Sequence, residues 1–285
     1  MKRIERTLMK RIERTLLQRM LTGSLLVGSI LASLWWGFPA FAVLFGLLAQ
    51  VGLFEFYRMA VPRERRREYL ASMLAGGILY LGMALSASGL VDHGWMVLMI
   101  PFCAFFLLVE LYLNRDQPFA HVGLTFLGFI YIVLPFGLLS YLLFLPNGRY
   151  NPELVLGIFV FLWASDSAAY VVGRGLGRTK LFERISPNKT VEGSVGGILA
   201  SLILGFWAMP VWCSSLTASQ WLVVAALVSV AGVYGDLLES LLKRSFDRKD
   251  SGSLLPGHGG VLDRFDSLIL SAPLVYAYLR LVHWG

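Results

Sequence analysis

The chain has 285 residues, of which 56% are hydrophobic and only 15% charged, with a formal net charge of +7. Soluble domains average about 25% charged residues. This deficit, with a mean hydropathy of +0.66, excludes a disordered chain, a disulfide scaffold and a nucleic-acid-binding domain. The apolar residues form long blocks separated by short charged stretches, which is typical of a polytopic α-helical membrane protein. We therefore expect an all-α integral membrane protein.

The first 20 residues are basic and contain a duplication, because residues 1–8 (MKRIERTL) recur as residues 9–16. An octapeptide that repeats once is too short for a solenoid. We interpret residues 1–20 as a cytosolic N-terminal segment and leave the duplication out of the fold. Pro39-Ala40-Phe41-Ala42 resembles a signal-peptidase site, but the apolar run resumes at once. An uncleaved membrane hairpin is therefore favoured.

Nine membrane spans are predicted, since about 20 apolar residues cross a hydrocarbon core of about 30 Å. The first two spans share one apolar block, which Trp36-Gly37-Phe38-Pro39 interrupts with turn residues. These two spans are short, so eight spans is the alternative. The predicted spans are 21–37, 39–57, 69–91, 94–113, 119–145, 153–173, 193–212, 218–242 and 266–284.

The basic residues indicate the orientation. With nine spans and a cytosolic N-terminus, 23 of the 25 Lys and Arg residues fall on the cytosolic side. Topology and attraction to lipid headgroups explain the positive charge, and no nucleic-acid partner is needed. We divide the chain into the basic segment 1–20, the N-terminal membrane helices 21–145 (spans 1–5) and a catalytic membrane region 146–285 (spans 6–9 with two cytosolic loops).

The cytosolic loop after span 6 carries glycines with Arg and Lys, then Ser186-Pro-Asn-Lys-Thr-Val-Glu-Gly193. Backbone N–H groups of glycines can bind phosphates together with cations. The signal is weak, because the loop has no Walker motif and an ordinary basic loop with turn residues has the same composition.

The end of span 8 carries a polar stripe. Asp236, Glu239, Ser240 and Lys243 have the i, i+3, i+4, i+7 spacing of one helix face. Such a stripe at the cytosolic membrane edge should face a wet cavity or other protein, because lipid would penalise it. Snorkelling to the interface explains Lys243 but does not explain Asp236.

The loop between spans 8 and 9 contains Pro256-Gly-His-Gly-Gly260, whose glycines permit a tight backbone around His258. Asp263 and Asp266 follow where span 9 begins. A helix that starts there puts both carboxylates on neighbouring positions of one face. Capping of the helix N-terminus is the alternative role for either carboxylate.

Asp166 lies inside span 6, near its cytosolic end. An intramembrane carboxylate suggests a functional site, and a structural hydrogen bond between helices is the alternative. Glu55 and Glu110, near the cytosolic ends of spans 2 and 4, are predicted to be ordinary interfacial residues. The residues without partner spacing, predicted to be structural, are Cys103, Cys213, His93, His121 and His283.

Asp236 and Asp263 could share a divalent metal, with Asp166 as a third carboxylate, among many Lys and Arg side chains. Carboxylates that hold Mg²⁺ among cations are what phosphoryl or nucleotidyl transfer requires, because the metal bridges phosphate oxygens and offsets charge on the leaving pyrophosphate. A site at the membrane edge implies a lipid phosphate as one reactant.

The segment 240–266 resembles the signature of the phosphatidate cytidylyltransferases, also called CDP-diacylglycerol synthases. The Asp166 region and residues 186–193 also look like family segments, so the resemblance covers residues 160–270. Before residue 160 it rests on the span pattern alone. The matching signature residues are Ser240, Lys243, Arg244, Lys249, Asp250, Gly252, Pro256, His258, Gly259, Gly260, Asp263, Arg264 and Asp266.

The resemblance implies that CTP and phosphatidate react to give CDP-diacylglycerol and pyrophosphate. It places Mg²⁺, and a second cation such as K⁺, on Asp236 and Asp263. It also implies a protein of the bacterial inner membrane, an active site that faces the cytosol, and a homodimer. The predicted catalytic residues are Asp236, Asp263, Lys243 and Arg264. The predicted substrate-binding residues are Asp166, Asn188, Lys189, Ser240, Arg244, Lys249, Asp250, His258, Gly259, Gly260 and Asp266.

Three alternatives remain. A CDP-alcohol phosphotransferase would need an Asp-Gly-x-x-Ala-Arg motif, which the sequence lacks. A CTP-dependent enzyme that acts on a polyprenol or an archaeal lipid is closer to the observed signature. A transporter would gather its polar residues near the membrane midplane, often with inverted repeats. Here they gather at the predicted cytosolic edge.

Overall fold

The computed structural model describes residues 2–113, 115–145, 148–252 and 259–283. Within these ranges, eight helices are long and apolar enough to cross a membrane. The prediction of an all-α polytopic membrane protein is thus confirmed. In chain order the helices are α1 (Lys2–Trp36), α2 (Phe38–Ala60), α3 (Glu64–Ala87), α4 (His93–Leu113), α5 (Pro118–Leu142), α6 (Glu153–Leu176), α7 (Val191–Trp212), α8 (Ala218–Ser245) and α9 (Leu262–His283).

The first predicted span lies in α1, whose apolar part, Met20–Trp36, is shorter than the eight spanning helices. The predicted break between the first two spans is present. Gly37 separates α1 from α2 with a φ of 104°, a conformation that residues with a Cβ rarely adopt, and Pro39 lies in the first turn of α2.

Several helices contain local irregularities. The 3₁₀ segments Arg63–Tyr69 and His93–Leu98 form the starts of α3 and α4. One turn of π-helix interrupts α5 at Phe129–Val133 and α7 at Leu204–Ala208. In both helices a proline follows within two residues of the π turn, which is consistent with the loss of a backbone donor there.

A small hairpin, absent from the sequence-based prediction, lies between α6 and α7. Strand β1 (Lys180–Phe182) pairs antiparallel with β2 (Ser186–Thr190), so that Lys180 lies opposite Thr190. The sequence predicts a loop over this segment, either one that binds phosphate or an ordinary basic loop with turn residues. The strands contain three and five residues with no run of alternating apolar side chains, so the sequence carries little strand signal.

The last four helices form two pairs in close contact, α6 with α7 and α8 with α9. Glycines on α7 let it approach α6, since a Cβ on Gly197 would lie 2.6 Å from the carbonyl oxygen of Ser165. Between α8 and α9, the hydroxyls of Ser267 and Ser271 donate to the carbonyls of Gly232 (3.1 Å) and Val228 (3.2 Å). These bonds hold the two helices in one register.

Helix α2 lies in the core and connects the two halves of the chain. Its Phe45 is fully buried and packs against Phe265 of α9, with ring centroids 6.2 Å apart. Phe136 of α5 packs on the same Phe265 at 5.5 Å. Near the end of α2, Glu55 accepts a hydrogen bond from the N–H of Leu262 at 3.1 Å, so this end lies beside the start of α9, where Asp263 and Asp266 are found.

Candidate active site

Three carboxylates converge where α8 meets α9. Oxygen atoms of Asp236, Glu239 and Asp266 all lie within 4.8 Å of one another. Asp236 and Glu239 are one helical turn apart on α8, and Asp266 faces them from α9. The two backbones can approach because residue 235 is glycine, where a Cβ would lie 2.5 Å from the carbonyl oxygen of Asp266.

Two lysines neutralise part of this acidic cluster, which we define as Asp236, Glu239 and Asp266. Lys189 forms an ion pair with Asp236. Lys243 pairs with Glu239 one turn earlier on α8 and also donates to Oδ1 of Asp263 at 2.7 Å. Because Lys243 contacts both carboxylates, it connects the acidic cluster to Asp263.

The second oxygen of Asp263 holds the chain that leads into α9. Its Oδ2 accepts hydrogen bonds from the backbone N–H of Ser251 (3.1 Å), the Ser251 hydroxyl (2.8 Å) and the backbone N–H of Gly260 (2.8 Å). All three donors lie outside the helix, so Asp263 binds the loop and does not cap α9. Asp266 lies one turn inside the helix, where its Oδ1 accepts from the adjacent Ser267 N–H at 2.6 Å.

The end of α8 turns the chain back toward Asp263. The N–H of Arg248 donates to the carbonyl of Lys243 at 2.8 Å, and that of Asp247 donates to Arg244 at 3.1 Å. This is a Schellman motif, with Asp247 at the left-handed position (φ 53°) where glycine or asparagine is usual. Ser251 is thereby brought next to the carboxylate that begins α9.

The hairpin carries Lys189 to the acidic cluster. Glu192, in the first turn of α7, accepts from the backbone N–H groups of Arg178 and Thr179, each at 3.1 Å. Thr190 caps the same helix through the N–H of Gly193 at 3.2 Å. These contacts fasten both ends of the hairpin to α7, so that Lys189 lies over α8.

A cavity of about 520 Å³ opens between the hairpin, α6, α7 and α8. Asn188, Lys189 and Asp236 line it together with Asp166, which is exposed on its wall. Asp166 interacts electrostatically with Lys189, Arg264 and Asp236, so it belongs to the same charged group. The structure thus brings four predicted site residues to one cavity: Asn188 and Lys189 of the hairpin, Asp236 of α8 and Asp166 of α6.

The remaining predicted residues lie around this centre. Ser240 donates to Oδ1 of Asp236 at 3.4 Å. Arg264 is exposed on the first turn of α9, and Arg244, Lys249 and Asp250 are exposed after the polar stripe of α8. Gly259 has a φ of 84°, so a tight turn at this glycine is present. His258 lies outside the described residues.

Two carboxylates that the sequence analysis did not assign to the site contact it directly. Glu239 was visible in the polar stripe of span 8, and its helical spacing from Asp236 was the available signal. Glu55 was assigned to the membrane interface, but it is buried (1% exposed) and its Oε2 accepts from the N–H of Leu262 at 3.1 Å. No local sequence pattern predicts that contact, because the two residues are 207 positions apart.

His121 and His93, predicted to be structural, have local partners, and Glu110, predicted to be interfacial, is one of them. The side chain of His283 lies outside the described residues. Glu110 pairs with Arg115 and with Nδ1 of His121, which is 2.8 Å away. Nδ1 of His93 contacts the Ser86 hydroxyl at 2.6 Å. Cys213 is buried, as predicted, whereas the prediction of a packing role for Cys103 is wrong, because its side chain is exposed on α4.

The donor set fits a hard divalent cation. The acidic cluster offers only oxygen ligands, which Mg²⁺ prefers, and opposite ligands around Mg²⁺ lie about 4.2 Å apart. The observed limit of 4.8 Å is close to this spacing. Oε1 of Glu239 has no hydrogen-bond donor among the described residues, so a buried carboxylate oxygen is available to a cation.

Comparison with known proteins identifies the family. The profile of the Cytidylyltransferase family matches residues 17–282, and the chain belongs to this family. Phosphatidate cytidylyltransferase of Bacillus subtilis is 37% identical over 269 residues, which cover 92% of this chain and 97% of the relative. The enzyme of the same name from Brucella suis is 34% identical over 273 residues, 90% of each chain. The chain is also 37% identical over 193 residues to the uncharacterized Escherichia coli protein YnbB, covering 65% of this chain and 63% of that protein.

Proposed function

We propose that this member of the cytidylyltransferase family is a phosphatidate cytidylyltransferase, which converts CTP and phosphatidate into CDP-diacylglycerol and pyrophosphate. The names of relatives that match about nine-tenths of the chain support this reaction. The observation that carries the location is the acidic cluster with two lysines beside it, of which Asp236 and Lys189 line the 520 Å³ cavity.

The reaction needs little acid–base chemistry from the protein. An oxygen of the phosphatidate phosphate forms a bond to the α-phosphorus of CTP, and the bond from that phosphorus to the β-phosphate oxygen breaks, which releases pyrophosphate. The nucleophile is already an anion near neutral pH. Positioning of the two substrates and stabilisation of negative charge therefore supply most of the rate.

Asp236, Glu239 and Asp266 would hold the metal, since their oxygen atoms lie within 4.8 Å of one another. Asp263, which the sequence predicts as a ligand, is connected to this cluster through Lys243 and belongs to the same reaction centre. Mg²⁺ bound there would offset the charge that develops on the leaving pyrophosphate. A second cation such as K⁺ stays a prediction from the family resemblance.

The cations around the cavity bind the phosphates in this proposal. Lys189 and Asn188 lie on the cavity wall, where they contact the nucleotide. Lys243 and Arg264 neutralise phosphate charge at the start of α9. Arg244 and Lys249, exposed beyond the end of the polar stripe, attract the anionic headgroup of the lipid.

We propose that this site faces the cytosol, in the bacterial inner membrane. The acidic cluster and the hairpin lie at the ends of spanning helices, where residues 174–189 and 243–264 carry 10 of the 25 Lys and Arg residues. The homodimer remains a prediction from the family resemblance.

Release of pyrophosphate by the purified protein in mixed micelles tests the proposed reaction. We expect release only when CTP, phosphatidate and Mg²⁺ are all present, with CDP-diacylglycerol as the lipid product. Release with a polyprenol phosphate or an archaeal lipid in place of phosphatidate would keep the mechanism and change the substrate. Failure with every lipid phosphate would contradict the proposal.

A further inference from the structure

Glu55 lies at the cytosolic end of α2, far along the chain from the residues that it contacts. Its carboxylate is buried between α2, the Ser251–Gly252 turn and the start of α9. Oε2 accepts from the N–H of Leu262 at 3.1 Å and lies 3.5 Å from the hydroxyl of Ser251. The same Ser251 hydroxyl donates to Asp263 at 2.8 Å. The Ser251 hydroxyl therefore contacts both carboxylates, that of Glu55 and that of Asp263.

Two glycines of the signature lie against Glu55 and leave no room for a Cβ. A Cβ on Gly252 would collide with Oε1 of Glu55, and a Cβ on Gly260 would collide with the Ser251 hydroxyl and lie 2.5 Å from Oε2 of Glu55. Neither glycine has a positive φ; in this loop, among the described residues, Gly259 alone does. Backbone conformation therefore does not explain these glycines: the Glu55 carboxylate accounts for Gly252, and the Ser251 hydroxyl together with Glu55 accounts for Gly260.

Burial of the Glu55 carboxylate destabilises the protein unless its contacts order the neighbouring loop. Glu55 is 1% exposed, and its Oε1 has no hydrogen-bond partner among the described residues. A buried polar atom without a partner destabilises the folded protein. An ordinary interfacial carboxylate would point its oxygens to water, and this one points into the loop that carries Asp263.

We propose that Glu55 is a positioning residue for the active site. Its carboxylate fixes the conformation of the Ser251–Gly252 turn and of Gly260, and these residues in turn set the position of Asp263. This inference rests on the proposed placement of Asp263 at the reaction centre. Through Glu55, helix α2 of the N-terminal membrane helices would directly shape the segment that leads from Ser251 to Asp263.

The kinetics of two Glu55 variants test the proposal. Glu55→Gln keeps the shape and the acceptor for Leu262 N–H, so we expect it to retain most of the activity. Glu55→Ala removes the carboxylate, and we expect kcat to fall between about 10- and 100-fold, as for loss of a residue that orients a ligand. The KM for CTP stays unchanged, because Glu55 does not line the cavity that holds Asn188 and Lys189. Glu64→Ala, at an exposed glutamate on the first turn of α3, is the matched control and leaves kcat unchanged.

A double-mutant cycle distinguishes positioning from general destabilisation. Gly252→Ala alone should lower kcat, since the new methyl collides with Glu55. In the Glu55→Ala background the methyl has room, so adding Gly252→Ala should lower kcat little further. Losses that multiply, or an inactive Glu55→Gln with normal thermal stability, would overturn the proposal. Gly252→Ala retains the glutamate at position 55 and tests the same contact if Glu55→Ala fails to fold.

The placement of Asp263 has its own test, so that the two failures are separable. If Asp263→Asn retains full kcat in a folded protein, the proposed reaction centre is wrong. If Asp263→Asn is inactive but the Glu55 and Gly252 losses multiply, the reaction centre stands and the role of Glu55 is wrong.

Discussion

Gly235→Ala should separate α8 from α9 at the acidic cluster. The new Cβ would lie 2.5 Å from the carbonyl oxygen of Asp266 and 3.1 Å from Cα of Ser267. Both are backbone atoms, so no side-chain rotation relieves the contact. Since non-bonded contacts need about 3.5 Å, the helices have to move apart by about 1 Å.

That movement displaces Asp236 from Asp266. A misplacement of about 1 Å can cost about 100-fold in rate, and overpacking costs about 1–3 kcal/mol of stability. We therefore expect kcat for CDP-diacylglycerol formation to fall about 100-fold, with a higher Mg²⁺ concentration at half-maximal rate. Turnover measured against Mg²⁺ concentration in mixed micelles, with thermal unfolding of the same samples, gives both quantities.

Gly232→Ala is the matched control, one turn earlier on the same helix. Its Cβ would meet Cδ2 of Leu162 at 3.2 Å and Cβ of Ser267 at 3.5 Å, contacts that small side-chain shifts relieve. We expect nearly normal turnover from this variant. The contrary result is that the two folded variants show the same kcat and the same Mg²⁺ dependence. That result would refute the argument that the spacing of Asp236 and Asp266 matters for catalysis.

Three further variants and one removal experiment probe the charged groups. Lys243→Met leaves the buried Glu239 and the neighbouring Asp263 without their shared cation, so we expect a loss of about 3 kcal/mol in unfolding free energy and of nearly all turnover. Lys189→Met should raise the KM for CTP, measured by pyrophosphate release, because this lysine lines the cavity. Arg65→Ala breaks only a partly exposed pair with Glu68, so turnover per folded molecule should not change. Chelation of Mg²⁺ should stop turnover, and added Mg²⁺ should restore it.

Periodicity and hydropathy predict most of the helical fold, because each spanning helix is a long run of mostly apolar residues that can be recognised without its neighbours. The break at Gly37 and Pro39 was predictable, since turn residues interrupt an otherwise continuous apolar block. The stripe of Asp236, Glu239 and Lys243 was predictable for the same reason, because helical spacing alone puts these side chains on one face.

The parts of the site that escaped prediction depend on contacts between distant segments. Asp266 faces Asp236 because Ser267 and Ser271 set the register of α9 against α8. Glu55 reaches Ser251 across 196 positions of sequence. The hairpin at Lys180 has too few residues to show a strand pattern, and its position depends on the Glu192 bonds to the preceding turn.

Formation of CDP-diacylglycerol from labelled CTP by Asp236→Asn tests the central claim most directly. The matched control is Asp247→Asn, the same chemical change at an exposed residue in the turn that ends α8. Asparagine tolerates the left-handed backbone at this position. We predict that folded Asp236→Asn forms almost no product while Asp247→Asn matches the unmodified protein. Product formation by Asp236→Asn at the rate of the control would contradict a reaction centred on the acidic cluster.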